Sequence, residues 1–433
     1  MTTGVTTGGD RVNLLSAIRS VLPAVVLMGC LCWTVFADAR EEIILGVASS
    51  LSFLEGRESL EAVQLAVDQI NTRGGVPVGE KRLPIRIEAV DIEDAWPKTS
   101  ISDVLEHLET FIVEKKVHAV VVGPFRSETL LAGMDLFSRH KIPLLGAIAM
   151  SPASEAKILK DPKYNYIFRV GLNSKYLVDY LINTMKLLRK QHGFNKVYIM
   201  NQDSAWTRTT ASLMVRLYFD RSDWKIIGLD TYPSGTSDFS AGLMKAKDNG
   251  AEILLLLFDM PESEILVKQW DRMRGQALLC GFISPMVGPG AWRSFDGKIA
   301  STLNVIFELG NIPSPRWEPS MAFHKAFTKK FGREIEAGHG PAPAYESVFI
   351  LADAIERAAG LDPDKIVTAL EATDRIGVMG RIRFHRGRQV IFGDDLTNDA
   401  LACIIQWGRD GQRKIVYPLS IADAQIELPP HAP

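Results

Sequence analysis

Short runs of Val, Ile and Leu alternate with amphipathic helix patterns through most of this chain, and that alternation limits its folds severely. Residues 43–48 (IILGVA), 85–91 (IRIEAVD), 118–123 (HAVVVG), 142–149 (IPLLGAIA), 196–201 (KVYIMN) and 252–258 (EILLLLF) read as buried strands. Between them, Leu60, Val63, Val67 and Ile70 share one helical face, and so do Ile101, Val104, Leu105, Leu108 and Ile112. The same spacing recurs at 130–138, 175–190, 209–219, 238–248 and 262–274. Strands apolar on both faces, alternating with helices, predict parallel sheets covered on each side by helices. The class is α/β with doubly wound, Rossmann-like sheets.

The alternation runs twice, over 43–170 and again over 171–290. From 302 onward come a strand (TLNVIFE), helices at 320–331, 343–359 and 363–373, and a β-rich tail at 377–418. A chain of 433 residues suits two or three domains at ~100–200 residues each. Two α/β lobes with returning segments imply a cleft, and ligands of such folds sit at the carboxyl ends of the strands.

The N-terminus carries Arg11 and Arg19, an apolar run from Val21 to Phe36, and the small-x-small site Ala37-Asp38-Ala39. This predicts an export signal over 1–39 and a periplasmic mature protein. An uncleaved anchor helix and a lipoprotein at Cys30 are the rival readings. Cys30 and Cys32 would leave with the signal. Cys280 and Cys403 remain in apolar runs, as two buried thiols or as one disulfide. A net charge of −2 argues against a nucleic-acid partner. Residues 426–433 read as a loose tail.

Further detail comes from a resemblance. ILGVASSLS, AVDQINTRGGV, IEAVDIED, VVVGPFRSET, IPLLGAIAMSP, YIFRVGLNS and ILLLLFDMPESEILVKQW stand in order along the mature chain. This series resembles the leucine/isoleucine/valine-binding protein family, the substrate-binding subunits of branched-chain amino acid ABC transporters. The resemblance implies a type I periplasmic binding protein: two Rossmann-like lobes joined by a three-strand hinge that closes on a ligand. It places one lobe at 42–170 plus 302–375 and the other at 171–301 plus 376–425. It further implies a monomer, no cofactor, a small-molecule ligand, and ABC permease and ATPase subunits as partners.

A free amino acid needs N–H donors for its carboxylate, ideally at a helix start, and an acid or carbonyls for its ammonium. The loop Gly123-Pro124-Phe125-Arg126-Ser127-Glu128-Thr129 falls where a strand meets a helix. Its amides and Ser127 suit an anion, although an ordinary N-cap explains the same pattern. The resemblance implies backbone contacts from Ala149 and Ser151, with Met150 in place of the usual hydroxyl residue; a thioether donates no hydrogen bond. It also implies an aromatic contact from Trp206, with Thr207 where the family has glycine, and an ammonium partner in Glu262 or Asp259. A helix-start acid is also favoured by the dipole alone. Arg57 and Arg126 are candidate carboxylate clamps, and Tyr345 belongs either to the hinge or to the core. The departures at 126, 150, 206 and 207 weaken any claim for leucine, isoleucine or valine, leaving a small polar organic solute.

The sequence shows no nucleophile elbow, phosphate loop, zinc helix or calcium loop, so an enzyme is not expected. Gly338-His339-Gly340 reads as a loop. The competing reading is a ligand-sensing receptor domain docked on a separate membrane signalling partner.

Overall fold

A computed structural model of the protein describes residues 41–96 and 98–428. The signal over 1–39, with Cys30 and Cys32, and the end of the tail lie outside these residues.

The first sheet is built from β1 (Ile43–Ser49), followed in the chain by a small hairpin of β2 (Val76–Val78) and β3 (Lys81–Leu83), then β4 (Ile85–Asp91), β5 (Ala119–Val122), β6 (Leu144–Gly146) and β7 (Ile167–Arg169). Its order is β4-β1-β5-β6-β7, all parallel. β5, β6 and β7 are buried along their whole length, which is why these runs carry no polar alternation.

The second sheet starts with β8 (Lys196–Gln202), β9 (Lys225–Tyr232), β10 (Ile253–Phe258), β11 (Leu278–Ile283) and β12 (Leu303–Ile306). A hairpin, β13 (Asp374–Gly377) with β14 (Gly380–Arg383), precedes the closing strands β15 (Cys403–Trp407) and β16 (Arg413–Tyr417). The order is β16-β15-β12-β11-β10-β8-β9. β8 to β12 run parallel and β15 and β16 antiparallel. The strands expected from the sequence include neither β9 nor β11. β9 is an edge strand, and its alternating exposure hides it from a search for apolar runs.

The structure redraws the lobes expected from the sequence. The strand at 302–306 belongs to the second sheet, because Leu303–Ile306 is buried throughout and pairs with both β11 and β15. The segment 376–390 lies on the first lobe instead of the second. Val378 N donates to Glu346 Oε1, and Gln389 bridges in parallel to Arg169 at the end of β7. Glu346 belongs to the helix Pro341–Ala358, which packs along Leu54–Thr72 in the first lobe. Residues 426–427 are not loose: Gln406 exchanges two hydrogen bonds with Glu427, both 2.8 Å.

Three segments cross between the lobes, and hydrogen bonds join them. Leu172 N donates to Glu308 Oε1 (2.9 Å), Leu309 N to Leu401 O (2.8 Å), and Gln389 Nε2 to Gly171 O (2.9 Å). The close crossing at Gly171 has no room for a side chain: a Cβ there would stand 2.0 Å from Ala147 O. Cys280 and Cys403 are buried free thiols. Their strands are separated by β12, so they are not neighbours in the sheet.

Candidate functional site

Where the two lobes meet lies a cavity of about 20 Å³. Its wall comes from the carboxyl ends of strands in both sheets, as expected for doubly wound folds. The first lobe supplies Glu55, Phe125, Ile148, Met150 and His339, which directly precedes the helix Pro341–Ala358, the second Trp206, Asp259 and Phe282, and a crossing segment Phe307.

Glu55 lies in the first turn of the helix Leu54–Thr72, just past β1, and is 3% exposed. Ser284, which follows β11 in the other lobe, donates its hydroxyl to Glu55 Oε1. Asp259 follows β10. Its Oδ2 accepts from Trp206 Nε1 at 2.6 Å, and its amide donates to Gln202 Oε1 at 3.1 Å. Burial pushes both carboxyls above the usual range, opposed at Glu55 by Ser284 and at Asp259 by Trp206. Asp259's charge raises Glu55 further, so the two acids sense each other across the cleft.

His339 faces an acceptor at each ring nitrogen. Nδ1 lies 2.9 Å from Glu308 Oε1, and Nε2 lies 2.7 Å from Ile148 O. A ring between a carboxylate and a carbonyl must donate from both nitrogens, which makes it an imidazolium. Burial alone would depress its pKa. Glu308's charge and hydrogen bond, with the Ile148 carbonyl, overcome that and hold it above the ordinary histidine value.

The apolar wall is a contiguous aromatic group. Phe282 and Phe307 centroids are 4.3 Å apart, and Trp206 stands edge-on to them at 6.1 and 6.2 Å. Trp206 sits in the first turn of the helix Ala205–Leu217. Thr207 helps to start that helix, its Oγ1 accepting from Ser204 N at 3.3 Å.

Of the residues singled out from sequence, the structure brings Met150, Trp206 and Asp259 to the cavity. Ser127 stands behind it, 3% exposed, its Oγ accepting from Met150 N at 3.2 Å. Ala149 is buried in the packing between the first sheet and its helices, away from the cavity wall. Ser151 Oγ accepts from Ala153 N at 3.2 Å in a local turn. Arg126 turns its guanidinium away, to Thr99 O at 3.1 Å. Glu262 immediately precedes the helix Ser263–Arg272, makes no side-chain capping bond, and lies outside the cavity wall. Tyr345 donates to Gln69 Oε1 (2.6 Å) and packs on Phe323, inside the first lobe. Arg57 is exposed.

The helix start expected to hold an anion holds one of the chain's own carboxylates. Asp94 Oδ2 accepts from the amides of Phe125 (2.9 Å) and Arg126 (3.0 Å), and Oδ1 accepts from Ser50 Oγ (2.9 Å).

Glu55, Phe282, Phe307 and His339 were not picked out from sequence. Glu55, Phe282 and Phe307 sit at or just past the ends of β1, β11 and β12, so the strand-end rule could have flagged them. His339 carries no such signal.

Two α/β lobes, three crossing segments and a cavity where the lobes meet define a two-lobed solute-binding protein. The chain belongs to the periplasmic binding protein family, whose model matches residues 44–394. It is similar to Leu/Ile/Val-binding protein homolog 8 of Brucella abortus (strain 2308), with 24% identity over 414 residues, covering 91% of this chain and 95% of the relative. Leu/Ile/Val-binding protein homolog 7 of Brucella suis biovar 1 (strain 1330) is 23% identical over 405 residues, covering 91% and 94%. Among solved structures, the LivJ substrate-binding protein of Streptococcus pneumoniae in complex with isoleucine has a TM-score of 0.71 at 19% identity, covering 90% of this chain and 100% of that one. A solute binding protein of an ABC transporter from R. palustris in complex with benzoate has a TM-score of 0.69 at 13% identity, covering 90% and 99%. The fold is thus the type I periplasmic binding protein fold, and the relatives are named as binding proteins. Among the described residues no helix is long and apolar enough to cross a membrane.

Proposed function

We propose that this chain is the extracytoplasmic solute-binding subunit of an ABC importer. It captures a small organic ligand between its lobes and presents the closed form to a permease. The observation that carries this reading is the interlobe cavity, whose wall is divided between the lobes. A ligand there touches both lobes only when they are together, so binding favours the closed form by its extra contacts. The Ser284–Glu55 hydrogen bond already joins the lobes across the same place. Residues 1–39 act as the export signal. Trp206 and Asp259 contact the ligand, and Ser127 supports Met150 from behind.

The test is uptake. Cells lacking this protein, with the permease intact, should lose uptake of the solute that raises the melting temperature of the purified protein. Normal uptake with loss of a transcriptional response to that solute would favour a sensor. A ligand at 100 times its Kd adds ~2.7 kcal/mol of stability, so a thermal-shift screen can find it.

A further inference from the structure

We infer that Glu336, outside the cavity, clasps the two lobes together, so that the protein rests in an occluded form that must unclasp before a solute can enter. This rests on the two-lobed architecture and on no particular solute.

Glu336 lies between the helices Glu318–Phe331 and Pro341–Ala358 of the first lobe, and Gly290 follows β11 in the second. The Gly290 amide donates to both Glu336 oxygens, Oε2 at 2.9 Å and Oε1 at 3.1 Å. The run Gly288-Pro289-Gly290 makes room for this carboxylate. A Cβ on Gly288 would stand 2.0 Å from Glu336 Oε2 and 2.5 Å from Glu336 O, and one on Gly290 would stand 3.0 Å from Oε1. For each glycine the three nearest atoms all belong to Glu336. Neither has a positive φ, so the backbone itself does not call for glycine. What excludes a side chain at 288 is the opposite lobe.

Each half of the clasp is fixed within its own lobe. Glu58, on the helix Leu54–Thr72, accepts from the amides of Glu336 (3.0 Å) and Ala337 (2.8 Å), and Arg333 pairs with Glu58 and Glu61. The loop carrying Glu336 is thus already ordered before the lobes meet, which lowers the entropy cost of joining them. On the other side, Arg413 Nη1 of β16 donates to Val287 O at 2.9 Å. Burial lowers the pKa of that guanidinium, opposed by the charges of Glu334 and Glu336 in the first lobe. Ser284, at the head of the same segment, donates to Glu55. Residues 284–290 therefore form one jaw of the second lobe, gripping the first at two points.

Neither Glu336 nor Gly290 lines the cavity. Its volume of about 20 Å³ is room for about one water molecule, so no organic solute fits while the clasp is shut. A solute must hold the lobes further apart than the clasp does, and the clasped and loaded forms compete. The apparent Kd is then the intrinsic one divided by the unclasped fraction.

The test needs no ligand. Spin labels are placed at Val113→Cys, on the first-lobe helix Ile101–Lys115, and Met244→Cys, on the second-lobe helix Ser240–Asp248; both positions are exposed, whereas Cys280 and Cys403 are buried. Distances between the labels are read by pulsed electron paramagnetic resonance on purified protein. The parent should show one narrow distribution. Glu336→Ala, which removes the acceptor, and Gly288→Ala, which wedges the jaw, should each move the clasped-to-open ratio on the order of tenfold or more towards a longer, broader distribution. Should one variant fail to fold, the other is read alone. A folded variant with the parent's distribution would overturn the clasp, and so would a parent as broad and long as the variants. Either result leaves the solute-binding reading standing, since that reading is tested by uptake.

Discussion

Glu308 and His339 form a buried ion pair, Oε1 to Nδ1 at 2.9 Å, at the point where the chain crosses between lobes. Glu308 also accepts from the amide of Leu172 in the first crossing segment. His339 reaches over to Ile148 O beside the cavity. One carboxylate thus ties the hinge to the wall of the site.

Glu308→Gln should therefore cost about 3–5 kcal/mol, because it leaves the imidazolium buried without its partner. Urea unfolding should show the loss, and it should depend on pH. His339 has a folded pKa above its unfolded value of about 6.5. The pair's contribution is complete below that unfolded value and fades as pH rises through the folded one. The deficit of Glu308→Gln should shrink in the same direction; a deficit that grew with pH would contradict the assigned protonation.

Arg169 is fully buried, and its Nε, Nη1 and Nη2 have no hydrogen-bond partner among the described residues. Burial lowers its pKa to about 10, with Glu155 and Glu308 opposing. Both acids have other partners, Asn173 for Glu155 and His339 for Glu308. Arg169→Met should then be neutral or stabilising, since an apolar side chain of similar length removes a desolvated charge. A loss above about 2 kcal/mol in urea unfolding would show that the guanidinium is an essential counter-charge.

Asp94→Ala should cost about 2–3 kcal/mol by removing a carboxylate that caps two amides. The vacated helix start would then accept an external anion. Sulfate should restore more melting temperature to this variant than to the parent protein, and equal responses in the two would argue against the capping role.

Cys280 and Cys403 should resist thiol reagents in the native protein. Burial raises Cys280 to about 12 and pushes Cys403 higher still, which suppresses the reactive thiolate. Both should react at once when the protein unfolds. Labelling of a folded sample would mean that the second sheet opens locally near β11 or β15.

The architecture was legible in the linear chain because burial on both faces of a parallel strand writes an apolar run, as in the six consecutive buried residues of β10. Helical periodicity did the same for 101–113, which the structure places in the helix Ile101–Lys115. The lobe edges at 302 and 376 were not legible, since a strand such as Leu303–Ile306 looks the same whichever sheet it completes. Met150, Trp206 and Asp259 came to notice through the resemblance to the binding-protein family, and the structure brings all three to the cavity. Glu55 could not be told from a solvated first-turn acid, because its environment comes from Ser284, 229 residues away. His339 reads as a loop histidine until Ile148, 191 residues earlier, lies against it. Local patterning reflects which face of an element is buried. The charge state and pairing of a buried polar group depend on what the other lobe places beside it, and only tertiary structure decides that.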